Sequence, residues 1–174
     1  SDPQVLISTL TDMIGADVSL YAGGGSASAL TRYFNKAFTL MADALRNPAF
    51  NQESFEKLKK QTITGLKTSE KSASAIAGRV GQALSFGKNT AMGEFETEET
   101  INNITLQDIK EYYSKYITPS RGYLIFVGDI TPGAAKTLAM KALGDWKGNK
   151  LVFPEFSQVS NPEKTEINFV DLPT

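Results

Sequence analysis

The sequence contains neither histidine nor cysteine. Those two absences remove whole classes of chemistry: no Cys-His zinc site, no Ser-His-Asp or Cys-His nucleophile, and no disulfide can be built from it. Imidazole-based proton transfer near neutral pH is excluded as well. A surplus of charge is also missing, since 18 Lys and Arg offset 19 Asp and Glu to leave a net −1. A nucleic-acid binder would carry a basic surplus or stripe, so no nucleic-acid partner is expected. No apolar run approaches the ~18 residues that span a bilayer, and no membrane partner is expected. Lack of cysteine leaves the compartment open, with a bacterial periplasm or cell envelope as a bare guess. The opening Ser1-Asp2-Pro3-Gln4 does not read as a signal peptide, and it abuts a helical pattern as the start of an excised fragment would.

What is present is ordinary globular material, 41% apolar and 21% charged over 174 residues, enough to bury about 70% of the unfolded chain's surface. Val5, Leu6, Thr9, Leu10 and Met13 recur at helical spacing before Gly15. Ala16 to Tyr21 alternates, and after Gly23-Gly24-Gly25 a second extended run leads through Leu30 to Phe34, which together read as an antiparallel pair. The glycine triplet fits a turn better than a phosphate loop, since no G-x-G-x-x-G or Walker pattern surrounds it. Phe38, Met41 and Leu45 mark a helix that stops at Asn47-Pro48. Asn51 can cap the next helix, with Phe55, Leu58, Thr62 and Leu66 inward. After a polar break at Ser69 to Ser74, Ile76, Val80 and Leu84 continue to Gly87. Lys88 to Asn103 reads as a loop. Thr105-x-x-Asp108 resembles a capping box ahead of a stripe of Leu106, Ile109, Tyr112, Tyr113, Tyr116 and Ile117. Tyr123 to Val127 is continuously apolar, as in an interior strand covered on both faces. Thr131-Pro132 starts a helix to about Leu143, and Glu166 to Asp171 alternates like a strand. Residues 1–147 therefore read as one α+β domain, an antiparallel sheet with helices packed on one face. Residues 148–174 read as a linker plus the first strand of a following unit.

Several phrases resemble the pitrilysin/insulinase zinc metallopeptidases, a family that includes the mitochondrial processing peptidase subunits. They are Phe38-x-x-Met41-x-Asp43-x-Leu45-x-x-Pro48-x-Phe50, then Gly87 … Gly93 … Thr97-x-Glu99-x-Ile101-x-x-Ile104-Thr105-x-x-Asp108 … Tyr112-Tyr113-x-x-Tyr116-x-x-Pro119. Val127-Gly128-Asp129-Ile130 and Gly144-x-Trp146 follow in the right order. Ile167 to Pro173 resembles the opening strand of the next repeat. The family's zinc is held by an inverted H-x-x-E-H helix and a Glu on a later helix. No part of the first motif occurs here. Registering the later helix on Pro48-x-Phe50 puts the third-ligand position at or near Gly65. The resemblance thus implies a non-catalytic repeat with no catalytic residue, no metal ligand and no cofactor of its own. Zinc is expected only in a homologous zinc-bearing repeat or subunit. The role implied is structural and substrate-enclosing, with an extended peptide held by strand addition and Val18 to Tyr33 as a candidate surface. No substrate-contact residue transfers.

Other patterns carry weaker chemistry. Ser54-x-x-Lys57 has Ser-Lys spacing without companion motifs. Glu94, Glu96, Glu98 and Glu99 lack the spacing of a calcium loop. Gly87-Lys88-Asn89 fails as a phosphate loop, and Tyr112, Tyr113 and Tyr116 fit packing better than base stacking. Asp129 fits a turn, and the sequon Asn103-Ile104-Thr105 competes with a cap. Two other readings stay open: a protein–protein interaction module with no peptidase partner, and an unrelated hydrolase using Ser54 or Asp129. A strand left without its neighbour would favour a homodimer through sheet edges, for example through residues 166–171.

Overall fold

The protein is described by a computed structural model, which defines residues 15–148, 150–152, 155, 160 and 163–171. The helix expected around Val5 to Met13 lies outside them. The chain divides into two compact units, Ser1–Phe50 with Lys110–Leu151 and Asn51–Ile109 with Val152–Thr174.

The first unit is α+β. Strands β1 (Asp17–Tyr21) and β2 (Gly24–Ser28) form an antiparallel two-stranded sheet in which Val18 faces Ala27 and Tyr21 faces Gly24. At Gly25 a Cβ would meet the tip of the Leu20 side chain at 2.7 Å and the Ser19 carbonyl at 3.1 Å, so a larger residue there would have to push that leucine aside. The second run ends earlier than the sequence suggests. Thr31 to Phe34 is not extended, because helix α1 (Thr31–Arg46) begins at Thr31, directly after Leu30. Its apolar face overrides the extended reading: Phe38, Met41 and Ala42 are buried, and Val18 and Ala27 pack against them. Helix α6 (Pro132–Leu143) adds Leu138 to the same cluster. Thr131 caps it, its hydroxyl accepting from the Ala134 amide at 3.3 Å, with Pro132 in the first turn. The rings of Phe34, Phe38 and Phe126 meet at 5.2–6.1 Å. Such pairs add about 0.5–1.5 kcal/mol beyond area burial.

Tyr123 to Val127 is not the covered strand its composition suggests. Only Phe126 is half-buried, no strand is assigned, and Tyr123, Ile125 and Val127 are almost wholly exposed. Nor is a strand assigned over residues 165–171, where Ile167 and Phe169 are exposed.

The second unit is helical: α2 (Gln52–Ser69), α3 (Ala73–Phe86) and α4 (Glu98–Asn103), with the first turn of α5 (Leu106–Tyr116). Asn51 caps α2 as expected, its side chain accepting from the Ser54 amide at 2.9 Å. The inward face is turned by one residue from the expected one. Phe55, Lys59, Ile63 and Leu66 are partly buried, while Leu58 and Thr62 are exposed. Leu84 is likewise exposed on α3. The stretch read as a loop to Asn103 contains α4, because Thr97 and Thr100 form a reciprocal capping box and Glu98 and Glu99 occupy its first turn. Carboxylates there meet the positive end of the helix dipole. Among the described residues no helix is long and apolar enough to cross a membrane.

Candidate functional site

The position that resemblance assigns to a zinc ligand lies late on α2. Around it the local polar groups are already engaged with the helix backbone. The hydroxyls of Thr62, Thr64 and Thr68 donate to the carbonyls four residues back, at 3.0, 2.9 and 3.0 Å. Gly65 is exposed, and a Cβ built on it meets nothing within 4 Å. A side chain would fit at this position, yet glycine supplies no donor atom. The carboxylates on the same helix do not substitute. Glu56 is about 14 Å away along the axis and roughly 180° around it, and its oxygen accepts from the Gln52 amide at 2.8 Å. Glu70 is the C-cap residue, beyond the last turn. Among the described residues no group of three or more Asp or Glu gathers as a metal would require. With imidazole and thiolate absent from the sequence, the residues present do not fit a zinc ion.

The other candidates resolve into structural roles. Ser54 and Lys57 are both exposed on α2, where nothing desolvates the lysine into a base. Of the acidic run, Glu98 pairs with Lys67 at 2.9 Å, and all four carboxylates are exposed. Gly87 is the C-cap of α3, so Gly87-Lys88-Asn89 lies at the negative end of a helix, the wrong end for phosphate. There the Thr90 hydroxyl lies 2.9 and 3.0 Å from the Phe86 and Gly87 carbonyls, and the Gly93 amide donates back to Thr90. This closes the loop so tightly that a Cβ at position 93 would collide with the Gly87 carbonyl.

Tyr113 donates to the Leu45 carbonyl at 2.7 Å and meets Phe50 edge-on at 5.5 Å. Burial pushes its phenol above the ordinary 10.0. Tyr112 and Tyr116 touch each other at 4.6 Å, but Tyr112 and Ile109 are exposed rather than part of a buried stripe. Asp129 is an exposed turn residue before the capped α6. The Thr105 hydroxyl donates to Asp108 at 2.7 Å, as does its amide, and together they hold that carboxyl below its ordinary 3.8. The sequon threonine is therefore committed to a cap.

Two functional-looking side chains were invisible to motif reading. Lys59 donates to the carbonyls of Asn102 and Ile104, both at 2.7 Å, and so satisfies the C-terminal end of α4. Arg46 bridges to Asp145 at 2.9 Å and to the Ala142 carbonyl at 2.9 Å. Its guanidinium lowers the Asp145 pKa below 3.8. The only signal for Lys59 was its place four residues after Phe55.

Residues 103–173 match the family described as the Peptidase M16 inactive domain. In that C-terminal part the chain is similar to the inactive domain of the pitrilysin-type peptidases. The "Non-peptidase homolog YmxG" of Helicobacter pylori (strain ATCC 700392 / 26695) is 28% identical over 102 residues, 58% of this chain and 24% of the relative. A solved structure, the crystal structure of a protease from Helicobacter pylori, aligns with TM-score 0.65 at 15% identity over 87% of this chain and 38% of that one. The latter likeness establishes the shared α+β fold. The chain thus spans about a quarter of the curated relative and 38% of the solved protease.

Proposed function

We propose that this pitrilysin-type domain is a non-catalytic wall repeat that works beside a homologous zinc-bearing repeat and helps enclose an extended peptide. The observation that carries the reading is Gly65: room for a ligand side chain, and none there. Enclosure would use main-chain pairing. Among the described residues β1 and β2 pair only with each other, leaving each strand an outer edge. Leu20, Tyr21 and Leu30 add exposed apolar surface beside those edges. Involvement in proteolysis would then require the partner's zinc, and the parent protein would be a zinc metalloendopeptidase only through that repeat.

The purified chain is expected to hold less than one-tenth equivalent of zinc (roughly, after dialysis against micromolar metal) and to leave unfolded peptides uncut. Stoichiometric zinc with metal-dependent cleavage overturns the reading. Mixing with a zinc-bearing repeat should give a complex that protects or cleaves a labelled unfolded peptide. A complex that ignores such peptides favours the second reading, a protein–protein module with no peptidase partner. That second reading draws on the non-peptidase name of the curated relative.

A further inference from the structure

We draw no further inference here: the strongest candidate, the open apolar groove that Ile76, Val80 and Leu84 of α3 line together with Asn168 and Val170 in the second unit, carries none because nothing in the structure shows what covers it.

Discussion

The two units hold themselves together by different means. The first is packed on side chains: Phe38, Met41, Ala42 and Leu138 are buried, and three phenylalanine rings meet over them. In the second, Ile101 is the large apolar side chain that reaches burial among the described residues. Its helices are fastened mainly by termini. Asn51, Ser72, Thr97 and Thr105 cap starts, Lys59 holds the carbonyls at the end of α4, and Lys67 pairs with Glu98. One unit is specified by complementary shapes and the other by satisfied backbone groups. A domain that needs no precise reacting geometry can tolerate the second, looser arrangement.

The strongest way to break this contrast is Phe38→Ala. It should cost about 3–5 kcal/mol and be seen in urea unfolding through Trp146, the single tryptophan, which belongs to the first unit. Ile101→Ala comes next, at about 2–4 kcal/mol, and should lower the midpoint of the helical circular dichroism signal more than that of Trp146. If both substitutions move both signals equally, the units melt as one and the contrast fails. Thr97→Ala, which removes the α4 capping box, should cost about 1 kcal/mol, again read in the helical signal. The smallest effect is acid-dependent. Asp108 and Asp145 are held below 3.8 when folded. The stability they add is complete above 3.8 and drains as pH falls through the folded values. An acid titration should show Asp145→Asn flattening the loss in the Trp146 signal and leaving the helical one in place.

Local signals were the legible ones. Asn51, Thr131-Pro132 and Thr105-Asp108 could be read as caps because capping depends on neighbours in sequence, and all three hold. Gly65 stood out only through family resemblance, and its open surroundings became visible in three dimensions. The misreadings share a cause, which is that burial depends on distant partners. Lys59 displaced Leu58 from the inner face of α2 because its ammonium finds carbonyls some forty residues onward. Thr31 to Phe34 turned helical because Phe34 completes an aromatic cluster with Phe126. Tyr123 to Val127 has the composition of a buried strand, and nothing in the run itself says what covers it.

The clasp between Gly87 and Gly93 has an asymmetric consequence for sequence drift. Because backbone lies directly against backbone there, no favourable contact exists for a substitution to delete. Every replacement at position 93 must add atoms, so even alanine, the smallest, should spring the hairpin-like closure open. At position 93 the link between the end of α3 and the start of α4 is thus guarded by the smallest residue in the alphabet, and there it can be lost only through gain.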